Sequence, residues 1–119
     1  MPNRKTPTSS FSLFITQTSL LPRTVFAPAA NTKGVKVLVG TAFELQTANG
    51  NGHFVISTSA PSALTDGILV SNLITYISGA TNQTISKTID DLFVPAGYGL
   101  YYISSGAGTV FIDASWADA

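Results

Sequence analysis

From Phe11 onward the apolar residues recur in short runs with a period of two. Phe11, Leu13 and Ile15 alternate with Ser12 and Thr16, Val35, Val37 and Val39 flank Lys36, and Phe43 and Leu45 bracket Glu44. Phe54 and Ile56 follow His53, Ile85 and Ile89 stand on either side of Lys87, and Val110 and Ile112 alternate with Thr109 and Asp113. Alternation of this kind places one set of side chains on a buried face and the other on a wet one, as in a β-strand. The residue types agree, since Val, Ile, Thr, Phe and Tyr suit a pleated surface. The pattern predicts core positions at Val35, Val37, Val39, Phe43, Leu45, Phe54, Ile56, Leu69, Leu73, Leu100, Val110 and Ile112.

Breakers divide the runs at short intervals. Leu21-Pro22 closes the first strand region, Pro28 to Gly34 forms a loop, and Pro61 to Gly67 is a longer connection. Asn49-Gly50-Asn51-Gly52 and Ser105-Gly106-Ala107-Gly108 read as hairpin turns, because Asn and Gly tolerate positive φ. Gly79 to Asn82 and Pro95-Ala96-Gly97 end two more strands. About eight short strands at this spacing predict an all-β fold, an antiparallel β-sandwich of jelly-roll type. Only Ser59 to Thr65 and Thr88 to Leu92 offer so much as one helical turn, so no substantial helix is expected.

Residues 1–10, with two prolines, four Ser or Thr, and the basic pair Arg4 and Lys5, read as a flexible arm, and residues 11–119 as one domain. No apolar run approaches the ~20 residues of a membrane helix, and no apolar stretch follows the basic pair, so a protein made in a cytoplasm and free of membrane is expected.

Composition narrows the chemistry. Cysteine is absent, which removes disulfides and thiolate metal sites. Only 10% of the 119 residues are charged, and the net charge is zero. Average domains carry about 25% charged residues. Ser, Thr, Asn and Gly fill the difference and give a neutral, hydroxyl-rich surface that is cheap to desolvate. A nucleic-acid binder would need a basic footprint that this chain lacks.

His53 is the only histidine, and its place after a turn glycine predicts an exposed edge position. Asp90-Asp91 is the only acidic pair. Adjacent strand residues point to opposite faces, so a turn or cap suits the pair better than a calcium site, which wants six or more oxygens. One His and one Glu barely furnish an acid–base set for the many hydroxyls, so neither catalysis nor a bound metal or cofactor is expected.

The residues that do suggest contact with a partner are of another kind. The run Ile68 to Ile77 is apolar on both faces, with Ile68, Val70, Ile74 and Tyr76 on one and Leu69, Leu73 and Ile77 on the other. A sandwich strand buries one face in its own core, so the second predicts a partner. Tyr98, Tyr101, Tyr102, Phe111 and Trp116 crowd the last quarter. Tyr101 and Tyr102 must face opposite ways, one to the core and one to solvent or a partner. Arg4, Lys5, Val70, Tyr76, Tyr98, Tyr101 and Trp116 are therefore the candidate interface residues.

The stretch Leu92-Phe93-Val94-Pro95-Ala96-Gly97-Tyr98-Gly99-Leu100-Tyr101-Tyr102-Ile103, with the Gly-rich segment and Val110-Phe111-Ile112 behind it, resembles the closing hairpin of small jelly-roll proteins. With the low charge, the missing cysteine and the Ala60-Pro61 to Asp66-Gly67-Ile68-Leu69 connection, it is similar to small virion proteins of tailed bacteriophages, the capsid-decorating (cement) and tail-associated proteins. That resemblance implies a structural protein of the virion, a homotrimer in contact with the major capsid protein or another large virion subunit, and no catalytic residues. Two other expectations share the same residues: a tail, neck or fibre component, and a carbohydrate- or receptor-binding module that stacks its aromatic rings on sugars.

Overall fold

The computed structural model describes residues 9–17, 21–46, 51–63, 66–69, 73–74, 83–104 and 108–119. They form two antiparallel sheets packed as a sandwich. The strands are β1 (Ser9–Gln17), β2 (Leu21–Phe26), β3 (Val35–Gln46), β4 (Asn51–Ser57), β5 (Ile68–Leu69), β6 (Leu73–Ile74), β7 (Gln83–Val94), β8 (Gly99–Ser104) and β9 (Gly108–Asp118). The first sheet has the order β1-β9-β3-β7, and the second β2-β8-β4-β5 with β6 also paired to β4. Among the described residues the only helical segment is a 3-10 turn at Pro28–Ala30. No helix among them is long and apolar enough to cross a membrane. The expected all-β sandwich is what the chain forms.

The pairing is nested. β1 pairs with β9, β2 with β8, β3 with β7, and β4 with β5 and β6, as though one long antiparallel ribbon had been folded over itself. The β3–β9 and β4–β8 ladders then stitch the ribbon into two sheets. This topology corrects the turn assignments. β3 and β4, β7 and β8, and β8 and β9 lie in different sheets, so the glycine-rich segments between them join sheets and close no hairpin. Positive-φ turn chemistry serves both kinds of connection, and the sequence does not distinguish them. Pro22 also lies within β2, an edge strand, where its missing N–H is tolerated.

The core fills the space between the sheets. Val25, Phe26, Val35, Val37, Ala42, Phe54, Ile56, Ile89, Val94, Leu100, Tyr102, Val110, Ile112 and Ala114 are buried there, with Phe11, Leu13, Leu92, Tyr98 and Trp116 half-buried against them. Trp116 lies 5.0 Å from the Phe26 ring, and Tyr102 meets Phe54 edge-on at 5.1 Å. Seven of the twelve expected core positions are buried: Val35, Val37, Phe54, Ile56, Leu100, Val110 and Ile112. The side chains of Leu69 and Leu73 lie outside the described residues.

Val39, Phe43 and Leu45 are exposed instead. The cause is a change of phase in β3. Val35 and Val37 point inward, but further along the strand it is Gly40, Ala42 and Glu44 that are buried. The register with β9 slips between Val37 and Val39, and the pairing with β7 passes over Leu38 and Asp91. Asp91 has φ 53°, the left-handed conformation that accommodates an extra residue in a ladder. One extra residue reverses which side chains face the core. The Asp90-Asp91 pair thus lies inside β7, opposite the point where β3 gains its extra residue against β9, and not in a turn or cap; Asp91 lies 3.8 Å from Lys36.

Two polar centres tie the sandwich. Glu44, only 2% exposed, accepts hydrogen bonds from the Tyr102 hydroxyl at 2.5 Å and the Ser104 hydroxyl at 2.8 Å, so β3 of one sheet is linked to β8 of the other. Gly52 lies against this pair, and a Cβ there would collide with the Tyr102 hydroxyl and the Glu44 carboxylate. Asn31, also buried, donates from Nδ2 to the carbonyls of Pro95 (2.9 Å) and Tyr98 (2.9 Å), with the Val94 carbonyl sharing one of these hydrogens at 3.3 Å, while Oδ1 accepts from the Gly34 amide at 2.8 Å. It clasps the Pro28–Gly34 loop to the β7–β8 connection.

Candidate interaction surface

The phase change in β3 creates the most distinctive surface among the described residues. Past the bulge, Val39, Phe43 and Leu45 project from the outer face of the first sheet. Phe43 stands opposite Phe111 of β9, and Phe111 stands opposite position 14 of β1, also a phenylalanine. Three neighbouring strands therefore place phenylalanines at one register level, with Phe43 45% and Phe111 37% exposed. Directly opposed side chains on an antiparallel pair approach closely enough to act as one surface. Monomeric proteins rarely leave such a row uncovered unless it binds something.

Along the same face the surface turns polar. Ser10, Thr41, Asp113 and Ser115, with Val39 and Ala114, line a shallow depression. Thr41 opposes Asp113 and Asp113 opposes Ser12, so short hydroxyl side chains surround the carboxylate across three strands. At the far end Phe93 is exposed beside the Lys36–Asp91 pair. The face is thus a phenylalanine row flanked by short hydroxyls with few charges. Short hydroxyls lose little side-chain entropy when covered.

The residues singled out from the sequence are dispersed. Arg4, Lys5, Val70 and Tyr76 lie outside the described residues. β1 begins at Ser9, so the ladder takes in two residues assigned to the arm. Tyr98 and Trp116 are half-buried against the core. Tyr102 enters the core as one of the two adjacent tyrosines had to, and there burial and the Glu44 carboxylate hold its phenol protonated far above the ordinary range. Tyr101 does not meet solvent. It is 3% exposed, in a second small cluster with Val55 and Ile103, and burial raises its phenol too. His53 is likewise buried, in a strand flanked on both sides rather than at an edge. No cluster of three metal-ligating side chains occurs among the described residues.

Sequence reasoning missed this face because it assigned Val39, Phe43 and Leu45 to the core. One signal was available. Along β7 the apolar residues change parity between Ile89 and Leu92, across the Asp90-Asp91 pair, and such a change marks a change of phase. Compared with known proteins, the chain matches no family model and no curated sequence.

Proposed function

We propose that this protein is a non-enzymatic structural component that docks onto a larger protein through the outer face of its first sheet. The observation that carries the reading is the Phe43–Phe111 row with Val39 and Leu45, exposed together on a nearly uncharged face. The likeness to small phage virion proteins gives the proposal its concrete form: a capsid decoration (cement) protein that reinforces contacts between large capsid subunits, with a tail or neck position as the variant. The nested strand pairing supports classing the sandwich as a jelly roll. The placement of the single Glu inside the sandwich, engaged by Tyr102 and Ser104, and of the single His among buried residues supports a role without acid–base chemistry.

The test is co-sedimentation of labelled protein with particles stripped of it. Phe43→Lys/Phe111→Lys changes two exposed positions and should leave the circular dichroism intact while weakening retention at least tenfold. Unchanged retention would remove the face from the proposal. If the wild-type protein is absent from purified particles, the virion assignment is wrong. Glycan binding at the Ser10, Thr41, Asp113 and Ser115 depression would then favour the carbohydrate-binding reading. Truncation of the arm belongs in the same assay and should stop at residue 8, so that β1 stays whole.

A further inference from the structure

The sandwich has three long edges among its described strands, and they are built differently. β7 carries the charges of Lys87, Asp90 and Asp91, and its backbone turns to φ 53° at Asp91. β2 carries Pro22 and Arg23, and its ladder with β8 slips between Thr24 and Phe26. Charges, proline and bulges are the usual means by which an edge strand refuses further pairing. β1 has none of them. Its nine residues, Ser-Ser-Phe-Ser-Leu-Phe-Ile-Thr-Gln, contain no charge and no proline, and they pair with β9 from Ser9↔Trp116 to Gln17↔Gly108 without one register shift. No described strand pairs with its other side.

We propose that β1 is a pairing edge for a second copy of this chain. Two β1 strands would run antiparallel about a two-fold axis and merge two four-stranded sheets into one of eight. This goes beyond the docking function proposed above, and a two-fold pair stands in place of the homotrimer that the resemblance implies; the outer face remains free for the larger partner.

Two observations favour a second copy as the occupant. An isologous pair sets each residue near the axis against itself or its close neighbours, so any charge on the strand would meet its own like. β1 is the one long edge whose composition meets that condition. Second, Phe11 and Leu13 on its inner side are only half-buried against the core. A register centred on Leu13 sets Leu13 opposite Leu13, Phe11 opposite Ile15, and Ser12 opposite Phe14. It keeps inward positions with inward positions, because the side-chain period is two, and extends the core across the axis. Main-chain hydrogen bonds supply the affinity of such strand addition, and side-chain matching supplies its register.

The test is solution mass by light scattering over a concentration series, on the full chain. Wild type should give twice the monomer mass at tens of micromolar, with amide exchange in residues 9–17 slowing as concentration rises. Ser10→Lys/Ser12→Lys alters two exposed positions and should raise the dissociation constant at least tenfold at low salt, with Ser10→Glu/Ser12→Glu doing the same. Mixing the two variants should restore the dimer. A monomer at 100 micromolar, a trimeric mass, or a dimer indifferent to both variants would overturn the proposal. Phe43→Lys/Phe111→Lys should leave the dimer intact, which separates failure of this edge from failure of the docking face.

Discussion

Replacing Tyr102 by Phe deletes one oxygen and leaves the aromatic ring to keep its edge-on contact with Phe54 at 5.1 Å. The hydroxyl is removed from a hydrogen bond of 2.5 Å to Glu44, a carboxylate 2% exposed between the sheets. A hydrogen bond to a charged group contributes about 1.5–3 kcal/mol net, and its loss leaves a buried charge less well solvated. The expected destabilisation is about 2–3 kcal/mol, a fall in Tm of roughly 10 °C for a chain of this size. Trp116, the only tryptophan, packs half-buried against the core residue Phe26 and reports unfolding in urea. A cycle with Glu44→Gln should give a coupling of at least about 1 kcal/mol, as expected of residues in one network. Alkaline pH supplies an independent check. The Tyr102 phenol is raised far above its ordinary value of 10.0 by burial and then by Glu44. The folded state therefore holds a proton that the unfolded chain releases above pH about 10. Its contribution is complete below that pH and is lost as pH climbs toward the folded value, at up to about 1.4 kcal/mol per pH unit. Tyr102→Phe should lose stability less steeply above pH about 10 than wild type. Stability of Tyr102→Phe within about 0.5 kcal/mol of wild type, the ordinary range for an inert surface change, would refute the idea that this contact ties the sheets.

Further outcomes follow from local geometry at three sites. Asn31→Ala removes two donated bonds, a longer shared contact to the Val94 carbonyl, and one accepted bond at a buried site, and should cost about 3 kcal/mol in urea unfolding. Asn31→Asp should cost more at pH 7, because its carboxylate would face carbonyl oxygens, and should recover part of the loss as pH falls from 7 toward about 4. Asp91→Gly should be neutral or stabilising and Asp91→Val destabilising by about 1–2 kcal/mol, since a β-branched residue resists positive φ. The Asp66 carboxyl is held below its usual range by the Ser62 amide, the Ser62 hydroxyl and the Ala63 amide. Those bonds are therefore intact above the unfolded value of about 3.8 and lost as pH falls through the lower folded one, which amide exchange at Ser62 and Ala63 should detect.

Much of the fold was legible because a strand's period of two survives in the sequence wherever a strand has one wet face. Val110, Ile112, Phe54 and Ile56 needed no more than that. Three things were not legible. The first is the destination of each turn: Pro95-Ala96-Gly97 carries the same chemistry whether the next strand pairs with the last or crosses to the other sheet. The second is burial on a sheet's outward side, which hid Tyr101 and His53, because a period-two pattern cannot say that the second face is also covered. The third is phase. Val35, Val37 and Val39 look like one alternating run, but the ladder inserts a residue after Val37.

That single insertion links stability to surface. Without it, Val39, Phe43 and Leu45 would turn inward with Val35 and Val37, and Glu44 would turn out into water. The row on the outer sheet face would vanish, and so would the carboxylate that holds Tyr102 and Ser104. A bulge in a sheet ordinarily costs a ladder hydrogen bond and some strain, and here Asp91 on the neighbouring strand, opposite the insertion, takes φ 53°. Keeping it makes little sense for a chain under selection only to bury its apolar residues, since a straight β3 would bury three more of them. It makes sense if the outward phenylalanines are wanted outside. The inward carboxylate then follows from the same shift, and its hydroxyl partners on β8 are the compensation that lets the interior accept it. The exposed row and the buried Glu44–Tyr102–Ser104 tie are two faces of one structural choice, which is why the sheet surface rather than any polar cluster is the feature on which the functional proposal rests.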